Sequence, residues 1–186
     1  RDAMAASATQ NILFVAAAGN DASDTDIVPH YPSSYNLDSV ISVAATNRND
    51  DRASFSNFGN VTVDLGAPGQ TILSTTPNNT YSNYNGTSMA TPHVAGVAAL
   101  LFDKFPGATY QEVRTAILNG VDPIASMQDI TVTGGRLNAL GALQQMGMRV
   151  VSTTPDINSV VTTLPTQFTI NWSNPYQQAS VQASDF

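Results

Sequence analysis

Two continuous apolar runs constrain the fold more than any other feature of the chain. "NILFVAAAGN" (11–20) and "SVISVAAT" (39–46) carry no charged residue. Strands made from them are expected to be buried on both faces, as in a parallel sheet. Shorter strand candidates follow in "VTVDLGAPG" (61–69) and "TILSTT" (71–76), bounded by Gly and Pro. Residues 21–38, "DASDTDIVPHYPSSYNLD", are polar and turn-rich and are expected to form a loop. At Thr87 the period changes. "TSMATPHVAGVAALLFDKF" has the length and small-residue content of a buried helix. Thr87 can cap its start, and Pro92 falls near its first turns. Ala90, Ala95, Gly96, Ala98 and Ala99 let neighbours pack close. "TYQEVRTAILNG" (109–120) predicts a helix with a capping box, Thr109 with Glu112, and a terminal Gly120. "RLNALGALQQMG" (136–147) predicts another, and "RDAMAASATQ" reads as the tail of one. Strands alternating with helices predict a layered α/β domain with a mostly parallel sheet.

The 186 residues are enough for one sizeable core with some remainder. There is no cysteine, which excludes disulfides, thiolate catalysis and Cys-ligated zinc. Net charge is −7, and the few arginines are scattered, so nucleic-acid binding is disfavoured. No apolar run reaches the ~18–20 residues of a membrane span. After Met148 the texture shifts to Thr, Ser, Val and Pro, with alternation in "QFTINW". That reads as the opening strands of a β-sandwich, too short to close. The expected organisation is a domain over 1–148 and a linker with an incomplete module over 149–186. Both ends read as cut.

"NGTSMATPHVAG" (85–96) places Ser88 where the helix begins. A nucleophile there gains from the amide N–H groups and the helix dipole, which favour a developing oxyanion. "GTSMA" approaches the G-x-S-x-G elbow of α/β hydrolases but has Ala90 in the fifth place. Taken alone, Gly-x-Ser before a helix is equally an ordinary helix-start serine. A serine hydroxyl needs a base. The two histidines are His30 and His93. In one helix, Ser88 and His93 would lie ~140° apart around the axis, too far round to share a hydrogen bond, so His93 is expected to be a packed structural residue. His30 lies in the polar loop.

The full string resembles the nucleophile segment of the subtilisin-like serine proteases, the subtilases. "FVAAAGN", "HYPSSY", "VISVAATNRNDDRASFSNFG", "VDLGAPG" and "GGRLNALGAL" resemble further segments of that family, in the same order. The resemblance implies a three-layer subtilisin-like fold, here partial, and a serine endopeptidase. It makes Ser88 the acylating nucleophile. Asn20 and the Ser88 backbone N–H would form the oxyanion hole, with Thr87 supporting it. The alternative for Asn20 is a turn residue after a strand. Ala17, Ala18, Gly19 and Asp21 would form one wall of the primary specificity pocket, and His30 would border it. Asp21 could favour basic substrate side chains or be a solvated loop aspartate. Met89, beside the nucleophile, is an oxidation liability.

In this family the triad runs Asp, His, Ser along the chain. The Asp and His segments are expected upstream of Arg1, which leaves Ser88 without its base in this chain. The chain alone is then expected to be inactive and poorly soluble, with the upstream half of the domain as its partner. No cofactor is required for catalysis. Asp64 matches a weak cation-site carboxylate of some family members, but one carboxylate does not make a calcium site; structural calcium stays open and unplaced. Four glycosylation sequons occur, at Asn60, Asn78, Asn85 and Asn171. The tail resembles the start of bacterial Ig-like modules, which implies an extracellular or cell-surface protein acting on proteins or peptides. The competing reading is an inactive homologue serving as a surface-binding module. An α/β-hydrolase esterase needs a histidine after the serine in a late loop, and none follows His93.

Overall fold

A computed structural model describes residues 1–147, 150–156, 167 and 169–172. The chain forms two compact units, Arg1–Gln145 and Met146–Phe186.

The first unit opens with helix α1 (Asp2–Ala8) and continues into strands β1 (Phe14–Ala17), β2 (Val40–Thr46) and β3 (Leu65–Pro68). These three pair in parallel, Phe14 opposite Val40 and Val43 opposite Leu65. The sheet is completed by the two-residue strands β6 (Asp122–Pro123) and β7 (Gly135–Arg136), in the order β1-β2-β3-β7-β6. Within this sheet only the β6–β7 pairing is antiparallel. The architecture is therefore α/β with a mostly parallel sheet. Every residue of β2 is buried, Ser42 and Thr46 among its Val, Ile and Ala, as a strand covered on both faces requires. Ala44 lies in a cluster with Ala18, Val63 and Met127, the last from the 3-10 turn Ala125–Met127. Helix α2 (Thr87–Lys104) packs across β1, β2 and β3.

Between β3 and α2 the chain forms an exposed hairpin, β4 (Ile72–Thr76) with β5 (Thr80–Tyr84). The sequence indicates β4 but not β5. Helix α3 (Tyr110–Asn119) carries the expected capping box. Gly120 does close it, but with φ −93° rather than in a left-handed turn. Its lack of a side chain serves close packing instead: a Cβ on Gly120 or on Gly141 would collide with the other's backbone. Helix α4 spans Ala139–Met146 rather than starting at residue 136, because Arg136 is taken into β7.

In the second unit, β8 (Val150–Thr154) pairs antiparallel with β9 (Thr169–Trp172). Of the segment expected to open a β-sandwich, residues 149, 157–166, 168 and 173–186 lie outside the described residues, and with them Ser173 of the Asn171 sequon.

Candidate active site

Helix α2 begins at Thr87, with Gly86 as its N-cap. This corrects the expectation that Thr87 caps the helix. Thr87 is the first helical residue, fully buried, and its side chain points to the end of β1. Its backbone N–H and its hydroxyl both donate to Asn20 Oδ1, at 2.9 and 3.1 Å. Its hydroxyl accepts from Gly19 N at 3.2 Å. Three hydrogen bonds thus tie the residues after β1 to the start of α2.

That arrangement also orients Asn20. A backbone N–H can only donate, so the Asn20 atom facing Thr87 is the carbonyl oxygen. The amide nitrogen faces the other way. A Cβ added at Gly86 would lie 3.6 Å from Ser88 N, 3.8 Å from Asn20 Nδ2 and 3.5 Å from Met89 Sδ. Two N–H donors therefore border one space beside Gly86, which the missing side chain leaves open. Ser88 itself is exposed. Among the described residues its hydroxyl has no hydrogen-bond partner.

Neither histidine reaches Ser88 by a hydrogen bond. His93 is not packed, contrary to expectation: it is exposed, and its Nδ1 donates to Met89 O, one turn back, at 2.9 Å. It lies on a face of α2 that no element of the first unit covers. Pro92 is the sixth residue of α2, and lacking an N–H it leaves the Ser88 carbonyl without its usual i+4 donor. His30 is half-buried and its ring rests on Gly19: a Cβ there would lie 2.9 Å from His30 Cδ2. Ser33 Oγ donates to His30 O at 2.8 Å and lies 3.1 Å from His30 Nδ1. Because the Ser33 proton is committed to that carbonyl, His30 Nδ1 is the donor to Ser33 Oγ.

The residues matched to a pocket wall divide. Ala17 is half-buried at the end of β1, and Asp21 is exposed with its N–H donating to Asn57 Oδ1 at 2.9 Å. Ala18 is turned into the core, and its backbone is engaged with Val43 O and Asn57 Nδ2. Two residues not singled out from the sequence lie beside Asn20 and Ser88. Gly86 leaves the open space, and Asn57, from the segment after β2, holds the residues around Asn20. Their roles rest on contacts made far along the chain, which no local pattern marks. A polar cavity of about 360 Å³, lined by Asn47, Arg48, Asn49, Gln70 and Thr71, contains none of these residues.

Asp64 does not fit a calcium site. It is almost fully buried; one oxygen accepts from Ser42 N at 2.7 Å and the other pairs with Arg114 at 2.8 Å. A guanidinium stands where a cation would need open ligands. Burial raises the Asp64 pKa above the ordinary carboxylate range; the Ser42 hydrogen bond and Arg114 oppose that shift. Among the described residues no three His, Asp or Glu side chains gather closely enough to hold a metal.

Residues 1–148 match the Subtilase family. The chain is 48% identical over 132 residues to thermitase of Thermoactinomyces vulgaris, covering 71% of this chain and 44% of thermitase. It is 48% identical over 107 residues to subtilisin DY of Bacillus licheniformis, covering 57% of this chain and 38% of that protein. Among solved structures, the prenylagaramide maturation protease PagA superposes with a TM-score of 0.65 at 32% identity, covering 75% of this chain and 52% of that one. A protease from Pseudoalteromonas arctica gives a TM-score of 0.70 at 31% identity, covering 77% and 45%. The chain thus spans less than half the length of both curated relatives. With the family matched across residues 1–148, the chain belongs to the subtilases.

Proposed function

We propose that the chain is the nucleophile-bearing part of a serine endopeptidase. The observation that carries this reading is the open space beside Gly86, bordered by the Ser88 N–H and Asn20 Nδ2 next to an exposed Ser88 hydroxyl. In the reaction a base takes the Ser88 Oγ proton while Oγ adds to the scissile carbonyl. The carbonyl electrons move onto oxygen, and the two N–H donors hold that oxyanion. The base returns the proton to the departing amine, leaving an acyl ester on Ser88. Water then hydrolyses the ester through the same oxyanion site. Donors placed in advance stabilise the charge as it forms; in subtilisin, losing the oxyanion-hole asparagine costs about 10²–10³ in turnover. Thr87 fixes which end of the Asn20 amide faces the substrate.

The base and its aspartate are not among these residues. His30 and His93 are the only histidines, and neither bonds to Ser88. The partner is a companion half-domain that brings both. Its seat is the uncovered face of α2, where Ala95, Gly96, Ala99 and Leu100 are exposed, together with the open edge of β1. Without that half the chain has no triad-dependent turnover. Substrates are proteins or peptides, with Ala17, Gly19, Asp21 and His30 flanking the primary pocket. The 149–186 segment is a linker with the start of an Ig-like module, and the protein is extracellular or displayed on the cell surface. No cofactor takes part in the chemistry. Any structural calcium is held away from Asp64.

The coding sequence upstream of Arg1 tests this directly. An aspartate after an apolar strand and a histidine at a helix start are expected there. Replacement of the histidine would remove the base, and replacement of the aspartate would remove the group that orients it; either would favour an inactive binding module.

A further inference from the structure

Asn57 is 1% exposed, yet it is polar and sits outside the catalytic chemistry. Its side-chain hydrogen bonds and its backbone N–H all run to one short segment. Its Nδ2 donates to Ala18 O at 2.9 Å. Its Oδ1 accepts from Asp21 N at 2.9 Å and from Ser23 N at 3.0 Å. Its own backbone N–H donates to Gly19 O at 3.0 Å. Asn20 is the residue these bonds bracket. The neighbouring Ser56 supplies the anchor: its hydroxyl accepts from Ala45 N in β2 at 2.9 Å and donates to Asn57 O at 2.9 Å. A hydrogen-bonded path therefore runs from β2, through Ser56 and Asn57, to the backbone on both sides of Asn20.

We propose that Asn57 is a positioning residue for the oxyanion-hole asparagine, setting the backbone from which Asn20 Nδ2 reaches the space beside Ser88. The inference rests on the protease reading for its kinetic consequence, but its geometry does not. Only an amide fits the position. It must accept two backbone N–H groups and donate to a backbone carbonyl within one planar group. A carboxylate of the same shape keeps the two acceptor contacts but sets an oxygen against Ala18 O in a buried site, where an unpaired polar contact is expensive.

The test is Asn57→Asp in the natural protein carrying the complete triad, using peptide p-nitroanilides. Misplacement of a reacting group by ~1 Å can cost about 10²-fold. A fall in kcat of about 10- to 100-fold is expected, with a smaller change in KM. In an Asn20→Ala background the same substitution should cause little further loss, because the group being positioned has gone. Amide hydrogen exchange supplies a readout that needs no activity: residues 19–23 should exchange faster in the variant while β2 stays protected. Equal kcat losses in both backgrounds, an unchanged kcat, or exchange unaltered at 19–23 would each overturn the proposal. A wild-type protein that cleaves nothing would sink the protease reading instead, and the exchange experiment would still decide the role of Asn57.

Discussion

Thr87 shows how one buried side chain can orient another. Its three hydrogen bonds decide which end of Asn20 faces Ser88, and the motif alone does not disclose that. Two aspartates with opposite environments give a residue-scale test. Burial raises the Asp64 pKa. Hydrogen bonds from Asn138 and Arg136 lower that of Asp122. A lowered carboxylate contributes stability that is complete above the ordinary Asp value of about 3.9 and is lost as pH falls through the folded value. A raised one does the reverse: its contribution grows as pH falls from the raised value toward the ordinary one. The melting temperature of Asp122→Asn should therefore fall less steeply than that of wild type below about pH 4. For Asp64→Asn the acid loss should be steeper, beginning above that pH. Parallel acid limbs for the two variants would contradict these assignments.

At the scale of elements, legibility follows burial. β1 and β2 are readable because strands covered on both faces are continuously apolar. β5 is not: "TYSNY" is exposed along most of its length, so neither face imposes a pattern. The hairpin also leaves β3 through Thr71 at φ 59°, a left-handed conformation unusual for a β-branched residue, held by Asn85 Oδ1 accepting its N–H at 2.6 Å. The α3 capping box is legible because its signal is local, and it is present as read. Thr109 Oγ1 accepts from Glu112 N, and Glu112 Oε2 accepts from Thr109 N at 2.8 Å. Asn11 holds the same helix start, accepting from Tyr110 N at 2.6 Å and donating to Ala108 O at 2.9 Å. Thr109→Ala should lower stability by about 0.5–2 kcal/mol, measured by chemical denaturation. No change would mean that Asn11 alone fixes that end.

For the molecule as a whole, Ser88, its N–H and Asn20 Nδ2 lie within one unit, whose own elements leave a face of α2 and the edge of β1 uncovered. The nucleophile segment is legible in the sequence because its chemistry is written in consecutive residues. Asn57 is not, since it acts on a segment more than thirty positions away through backbone contacts. Covalent labelling of Ser88 by a fluorophosphonate probe tests the central claim most directly, comparing the 186-residue chain alone with the same chain after its upstream half is supplied. Labelling is expected only when the upstream half is present, and it should vanish in Ser88→Ala. Rapid labelling of Ser88 in the chain alone would show that the base lies within these residues and would contradict the division of the active site proposed here.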